Sequence, residues 1–229
     1  MNAIKKNIPN TITCLNLLSG CMAITYTFVE GPSLWVAFFI ALAAVFDLFD
    51  GMVARILKVS SPIGADLDSL ADVISFGLAP AAYLFSVIFS SYSNFYIAFP
   101  VFLLAAFAAV RLAKFNNDER QHTSFIGLPV PANALFWIGF ISLLERANLF
   151  SNMGLALILI YSFVVLMSYL MVSEVPMFSL KVKSVAFKGN ESRYLLIIAS
   201  AVLLIWLGVA GFAPAMILYI LLSLFSKRG

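Results

Sequence analysis

The residues best placed to do chemistry are aspartates in the stretch 44 to 77, AVFDLFDGMVARILKVSSPIGADLDSLADVISFG. Asp47 and Asp50 are three residues apart, so they share one face of a predicted helix. Asp68 and Asp72 are four apart and share a face of the next helix. A short loop would bring both pairs together. Four carboxylates that close cannot all ionise unless cations neutralise them.

The compensating charge could come from basic residues, bound protons or metal ions. Arg55, one turn beyond the first pair, cannot balance four acids by itself. The aspartates offer only oxygen donors, which suits Mg²⁺ or Mn²⁺, with Ca²⁺ a further candidate. Two ions about 3.5 to 4 Å apart, as in two-metal phosphoryl-transfer sites, would account for four acids.

Two other interpretations of the aspartates remain open at this point. They could cap helices and pair with Arg55, or they could line a cation or proton pathway, since acids inside a membrane also mark transporters. Gly51 and Gly64 favour a phosphate site instead, because they let a phosphate approach the backbone while an arginine holds it.

The helices that must position these residues are predicted to lie in a membrane. Hydrophobic residues make up 62% of the chain and charged residues 11%, with a mean hydropathy of +1.01, far from the averages of soluble domains. Apolar runs close to the roughly 20 residues of a membrane span recur at 10 to 29, 34 to 57, 67 to 89, 94 to 115, 131 to 149 and 152 to 172.

The last apolar run, 193 to 225, is interrupted by Gly208, Gly211 and Pro214, which predicts two shorter helices joined by a turn. The sequence therefore predicts an all-α polytopic membrane helix bundle, with a six-helix core and a C-terminal helical pair. The expected total is about eight transmembrane helices, with seven as the alternative. One domain covers 1 to 229, because no long polar linker interrupts the chain.

Basic residues are distributed asymmetrically between the predicted loops. If Lys5 and Lys6 lie in the cytoplasm and each span crosses once, Arg146 alone falls outside, and Arg111 lies about one turn inside the cytoplasmic side. That side then also receives Arg55, Lys58, Lys114, Arg120, Lys181, Lys183, Lys188, Arg193, Lys227 and Arg228. The positive-inside rule then places the N-terminus and the aspartate loop on the cytoplasmic face of the cell membrane. Nothing in this pattern indicates a nucleic-acid partner.

Cys14 and Cys21 lie seven residues apart on the first predicted helix. Their Cα atoms would be roughly 10 Å apart at about 1.5 Å per residue, too far for a disulfide. We expect two buried, unreactive thiols.

The aspartate spacing can be written D-x2-D-G-x2-A-R-x8-G-x3-D-x3-D, and this pattern resembles the signature of the CDP-alcohol phosphotransferase family. Its fixed positions are all matched, by Asp47, Asp50, Gly51, Ala54, Arg55, Gly64, Asp68 and Asp72. The resemblance implies a six-helix membrane core, usually a homodimer, with a divalent-metal site that replaces the CMP of a CDP-linked donor by an alcohol.

The resemblance also implies roles for the matched positions. The metal ligands would be Asp47, Asp50, Asp68 and Asp72. Asp72, with Asp68 beside it, is the catalytic candidate, as the base that takes the proton of the incoming hydroxyl. The residues along the CDP moiety would be Gly51, Ala54, Arg55 and Gly64. Asp66 falls outside the pattern.

Three further stretches resemble the branch of that family that uses CDP-diacylglycerol and L-serine. They are NIPNTITCLNLLSGCMAI at 7 to 24, RLAKFN followed by FIGLPVPA, and LMVSEVPMFSLK. A branch using glycerol 3-phosphate or inositol remains an alternative, as does, from another class, a divalent cation transporter.

Several polar residues outside the motif are weaker candidates. Asn10 and Thr11, at the start of the first predicted span, and Asn16 within it could reach the nucleotide or its phosphates. Arg111 and Lys114 could bind the serine carboxylate or a lipid phosphate, although both could equally be flanking cations that extend toward the membrane surface. Asn133 could contribute from the fifth span.

Overall fold

The structure, a computed structural model, describes residues 3–31, 33–59, 61–118, 125–178 and 190–225. Several basic residues used for the predicted orientation lie outside these ranges: Arg120, Lys181, Lys183, Lys188, Lys227 and Arg228. Residues up to Asn116 form one compact unit and the remainder a second.

The first unit contains all four motif aspartates and is built from helices. They are α1 (Ala3–Val29), α2 (Leu34–Leu57), α3 (Pro62–Asp72), a π-helix (Val73–Leu78), α4 (Ala79–Tyr92), the short α5 (Phe95–Ala98), a 3₁₀ turn (Phe99–Phe102) and α6 (Leu103–Asn117). The predicted span at 34 to 57 is confirmed residue for residue. The predicted spans at 67 to 89 and 94 to 115 form continuous but irregular helical segments.

Helix α1 packs against α2, α3, the π-helix and α4. Its buried face follows a spacing of three and four residues along one side of the helix: Pro9, Thr13, Asn16, Gly20, Ala23 and Thr27. The cysteines are free, as expected, but both are exposed, so the expectation of buried thiols is wrong. Cys14 and Cys21 each follow a residue of the buried face and therefore point away from it.

The π-helix directly follows Asp72 and is held between two neighbours by small residues. A Cβ on Gly20 of α1 would clash with Ser75, and a Cβ on Gly77 would lie 2.9 Å from the Cβ of Ala108 on α6. The Ser75 hydroxyl also donates a 3.0 Å hydrogen bond to the carbonyl of Asn16. Close backbone packing of this kind is typical of helices in membranes.

The second unit contains α7 (Val130–Arg146), a 3₁₀ turn (Leu149–Ser151), α8 (Met153–Val172), α9 (Glu191–Leu207), a second 3₁₀ turn (Gly208–Gly211) and α10 (Phe212–Phe225). The predicted break in the last apolar run is confirmed, and Gly208 there has a φ of +55°, which glycine adopts without strain. Gly139 allows α7 to approach α10 closely, since a Cβ would clash with the backbone of Ala213.

Two short strands, β1 (Phe125–Ile126) and β2 (Pro176–Met177), pair antiparallel within this unit. The sequence did not predict them. They join the chain just before α7 to the chain just after α8, and the amide of Gly127 extends the pairing to the carbonyl of Val175 at 2.9 Å.

Six segments of the described ranges are long and apolar enough to cross a membrane, so the all-α membrane bundle is confirmed and the chain is an integral membrane protein. Helix α7 has 17 residues, about 26 Å at 1.5 Å per residue, against a hydrocarbon core of about 30 Å. α9 and α10 have 17 and 14 residues, and their run counts as one of the six. The total of eight spans stays a prediction.

Candidate active site

The turn between α2 and α3 is fixed by two helix caps. Lys58 adopts a left-handed conformation (φ 53°), and its amide donates to the carbonyls of Ala54 and Arg55, which ends α2. The Ser61 hydroxyl accepts a 3.0 Å hydrogen bond from the amide of Gly64, which caps the start of α3. The chain therefore reverses within a few residues and returns beside the end of α2.

This reversal brings aspartates from both helices together. Asp47, Asp50 and Asp68 each place a carboxylate oxygen within 4.8 Å of the other two. Asp50 is only 6% exposed. Three carboxylates this close repel one another, and a divalent cation held between them would offset that repulsion.

The donors fit a divalent cation. All are carboxylate oxygens, the ligands preferred by Mg²⁺, Mn²⁺ and Ca²⁺. Among the residues that the structure describes, none hydrogen-bonds the buried Oδ1 of Asp68. A buried polar atom is rarely left unpaired in a folded protein, and coordination of a metal would satisfy this one.

The fourth motif aspartate is held differently. Asp72 is 6% exposed, and its Oδ1 accepts a 3.1 Å hydrogen bond from Nδ2 of Asn16 on α1. Asp50 is also bonded to α1, through a 2.7 Å hydrogen bond from the Thr13 hydroxyl to its Oδ2. Helix α1 therefore contacts one aspartate from each of the two motif helices.

A cavity of about 210 Å³ opens beside the aspartates. Among the residues predicted from the motif, its lining includes Asp50, Gly51, Ala54, Gly64 and Asp68, with Asn10 from α1; the lining is completed by Pro9, Thr13, Val59, Ser61 and Ala65. Two of the predicted metal ligands, Asp50 and Asp68, and four of the six predicted CDP-binding residues therefore surround one space.

Two residues predicted to bind CDP do not line this cavity. Arg55 is exposed, and its Nε donates a 2.7 Å hydrogen bond to the carbonyl of Gly51, which does line it. Thr11 is exposed, and its hydroxyl donates to the carbonyl of Asn7 at 3.0 Å. The roles of both residues stay predictions.

The two predicted acceptor-site cations on α6 differ in environment. Arg111 is 7% exposed, and its guanidinium carbon lies 4.8 Å from the centre of the Phe115 ring. Lys114 is exposed. Arg111 is therefore the more buried of the two.

Asn133 belongs to the second unit. It is fully buried, and its Oδ1 accepts a 3.0 Å hydrogen bond from Nε1 of Trp137. Its Nδ2 has no hydrogen-bond partner within the described ranges. Its assignment to the acceptor site stays a prediction.

The contact that sequence reasoning missed is the one from Thr13. The sequence carried a signal for it, because Asn10, Thr13 and Asn16 recur at intervals of three in the first predicted span. Polar residues on one face of a membrane helix point to a protein-facing or functional surface.

Comparison with known proteins agrees with this geometry. Residues 6–206 match the sequence model of the CDP-alcohol phosphatidyltransferase family. The chain is 32% identical over 222 residues, 94% of its length and 74% of the relative's, to a CDP-diacylglycerol–serine O-phosphatidyltransferase of Mycobacterium bovis.

The chain is also similar to proteins of the same name from two further organisms. One from Helicobacter pylori is 34% identical over 173 residues, 73% of this chain and 70% of the relative. One from Methanocaldococcus jannaschii is 39% identical over 147 residues, 63% of this chain and 66% of the relative. The chain therefore belongs to the CDP-alcohol phosphatidyltransferase family and is a phosphotransferase enzyme.

Proposed function

We propose that this enzyme is a phosphatidylserine synthase, which transfers the phosphatidyl group of CDP-diacylglycerol to the hydroxyl of L-serine and releases CMP. The observation that carries the proposal is that two members of the aspartate group line one cavity with three further motif residues: Asp50, Asp68, Gly51, Ala54 and Gly64. The choice of serine is supported by relatives named for that activity in Mycobacterium bovis, Helicobacter pylori and Methanocaldococcus jannaschii.

The donor would place its pyrophosphate over the aspartates and its nucleotide in the adjoining cavity. Gly51 and Gly64 have no side chain there, so the phosphates can approach the backbone of α2 and α3 closely. Arg55, which is bonded to the carbonyl of Gly51, would hold a phosphate oxygen at the exposed rim. The two acyl chains would extend into lipid beside the apolar helices.

In the transfer step, the serine hydroxyl oxygen attacks the phosphorus that bears the diacylglycerol. The bond from that phosphorus to the oxygen it shares with the CMP phosphate breaks, and CMP leaves with the electron pair. Asp72 takes the proton of the hydroxyl as general base. The hydrogen bond from Asn16 leaves the second oxygen of Asp72 for this purpose.

The metal ligands in this proposal are Asp47, Asp50, Asp68 and Asp72, which would hold two ions, Mg²⁺ or Mn²⁺ with Ca²⁺ as a further candidate. Bound divalent cations would neutralise the pyrophosphate and the charge that develops on the departing CMP. Family members generally depend on divalent metals, in agreement with the group of three carboxylates.

The acceptor would lie on the α6 side of the aspartates. Arg111 is buried there and carries the positive charge that a serine carboxylate or a lipid phosphate requires. Lys114, one turn further along α6, would contact a phosphate nearer the membrane surface, and Asn133 is the corresponding candidate from α7.

We place the enzyme in the cytoplasmic membrane as a homodimer, with the N-terminus and the site on the cytoplasmic side. The asymmetric distribution of basic residues supports this orientation. Labelling of single engineered cysteines next to Lys58 and Arg146 in intact cells tests it. We expect an impermeant reagent added outside to modify the second position and not the first.

The decisive experiment measures CMP release by the purified protein in detergent with CDP-diacylglycerol and Mn²⁺ or Mg²⁺. Serine, glycerol 3-phosphate, inositol and no acceptor are compared, each with and without EDTA. We expect release that requires serine and metal, together with formation of phosphatidylserine. Release with another acceptor would retain the family and refute the serine assignment, while activity undiminished by EDTA would refute the metal site.

A further inference from the structure

Helix α1 lies outside the aspartate motif but contributes two buried polar side chains to the site. Thr13 is 3% exposed and Asn16 is fully buried. Both belong to the face of α1 that packs against the motif helices. Burying a polar side chain inside a membrane protein is costly unless it is hydrogen-bonded, so their bonding partners indicate what they do.

The Thr13 hydroxyl has two acceptors within reach, Oδ2 of Asp50 at 2.7 Å and the carbonyl of Pro9 at 3.1 Å. A hydroxyl has one proton to donate, and a carboxylate is the stronger acceptor. The shorter distance agrees with this preference. Thr13 therefore donates to Asp50, and the position of α1 fixes the direction in which the carboxylate points.

Asn16 makes the corresponding contact with Asp72. The side-chain Nδ2 of Asn16 donates to Oδ1 of Asp72, and the backbone carbonyl of Asn16 accepts from the Ser75 hydroxyl. The second contact joins the backbone of Asn16 to the π-helix that follows Asp72. The two hydrogen bonds therefore link α1 to the segment from Asp72 to Ser75.

We infer that Thr13 and Asn16 are positioning residues that orient Asp50 and Asp72 for metal binding and proton transfer. The inference rests on the proposed function, because it concerns the same carboxylates. Groups that hydrogen-bond a metal ligand fix its orientation, and their loss typically lowers metal affinity or activity by about 10- to 100-fold. Helix α1 would then supply an outer layer of the site that the motif itself does not contain.

Thr13 provides the sharper test because the chain contains a matched control. Thr27 lies on the same buried face of α1, is 1% exposed, and donates its hydroxyl to the carbonyl of Ala23 at 2.9 Å. Replacing either threonine by valine removes a hydroxyl within the same helix. Only Thr13→Val removes a hydrogen bond to an aspartate of the site.

The experiment measures Mn²⁺ binding to purified wild-type, Thr13→Val, Thr13→Ser and Thr27→Val proteins by the electron paramagnetic resonance of free Mn²⁺. Melting temperatures in EDTA report the stability of each fold. We expect Thr13→Val to lower Mn²⁺ affinity by about 10- to 100-fold, while Thr13→Ser, which keeps the hydroxyl, and Thr27→Val stay close to wild type.

Equal Mn²⁺ affinities for Thr13→Val and Thr27→Val would overturn the inference. So would a Thr13→Val protein that binds Mn²⁺ normally but has a raised KM for CDP-diacylglycerol, since Thr13 would then contact the nucleotide instead. If Thr13→Val fails to fold, Thr13→Ala and Thr27→Ala take the place of the valine pair, and equal Mn²⁺ affinities for these two variants would overturn the inference. Wild-type protein that binds no Mn²⁺ would refute the proposed metal site itself.

Discussion

Asn16 and Asp72 are 56 positions apart in sequence and are joined by a 3.1 Å hydrogen bond between Nδ2 and Oδ1. The contact links the first helix of the chain to the last residue of the aspartate motif. It also leaves Oδ1 of Asn16 buried, with no hydrogen-bond partner in the described part of the chain. Buried polar atoms are rarely left without a partner, so an unpaired amide oxygen here agrees with an Asn16 side chain whose orientation is set by its donation to Asp72.

We predict that Asn16→Leu lowers kcat by about 10- to 100-fold, because Asp72 loses the donor that orients it. The KM for CDP-diacylglycerol should change much less, since Asn16 does not line the cavity. Steady-state kinetics of CMP release separate the two parameters.

The control for Asn16→Leu is Ser75→Ala. It removes the hydrogen bond to the Asn16 carbonyl and leaves the amide in place. We expect Ser75→Ala to stay near the wild-type kcat. An equal loss of kcat in Asn16→Leu and Ser75→Ala would mean that Asn16 contributes to packing alone and does not orient Asp72.

Asp72→Asn should abolish product formation while leaving the protein folded. A general base contributes about 10² to 10⁴ to a rate, so CMP release should fall by at least the lower figure. The fold should persist because the substitution removes a charge from a crowded group of carboxylates. Gel filtration and melting temperature check this.

Asp66→Asn is the matched control for Asp72→Asn. Asp66 lies on the same helix, α3, and is exposed outside the motif, so its amide variant should retain activity. A wild-type rate of CMP release by Asp72→Asn would show that Asp72 is not the general base.

The aspartate group could be predicted from sequence because spacing alone determines it. A separation of three or four residues places two side chains on one helix face, and the apolar run that ends at Leu57 left little freedom for α2. The break at Gly208 was predictable for a similar reason, since glycines and a proline interrupt an otherwise uniform apolar run.

The remaining features depend on partners distant in sequence. The π-helix at Val73–Leu78 follows from how Ser75 and Gly77 pack against α1 and α6, and no local propensity indicates it. The strand pair of β1 and β2 joins segments about 50 residues apart, and such pairing depends on tertiary context. The contact of Thr13 with Asp50 spans 37 positions and depends on how α1 packs against α2, which the spacing of residues within one helix does not determine.

Gly20→Ala should destabilise the protein, because the new Cβ would lie 2.7 Å from Cα of Ser75. Overpacking of this kind typically costs about 1 to 3 kcal/mol of unfolding free energy, so the melting temperature in detergent should fall. Gly154→Ala is the control: it lies on α8 with no atom closer than 3.6 Å to the added Cβ. An unchanged melting temperature for Gly20→Ala would show that α1 and the π-helix pack less closely than the structure indicates.

Gly51→Ala should separate stability from substrate binding. The nearest atom to an added Cβ is a terminal nitrogen of Arg55, 3.7 Å away, so the fold has room for it. Alanine is favoured over glycine in a helix by about 1 kcal/mol, so the melting temperature should stay the same or rise. The methyl group would nevertheless extend into the cavity that Gly51 lines. A single carbon in a binding pocket changes discrimination by about 10- to 200-fold, and we expect the KM for CDP-diacylglycerol to rise accordingly.

Gly64→Ala provides the comparison for Gly51→Ala, because its Cβ would lie 3.0 Å from both Oδ1 of Asn10 and Oγ of Ser61. Gly64→Ala should lower both the melting temperature and the affinity for CDP-diacylglycerol, because the added Cβ would disturb the Ser61 cap of α3 as well as the cavity. A Gly51→Ala protein with both parameters unchanged would show that the donor does not approach α2 at this position. The phosphates would then have to be held from the α3 side of the cavity, where Gly64 would be the closest point of backbone approach.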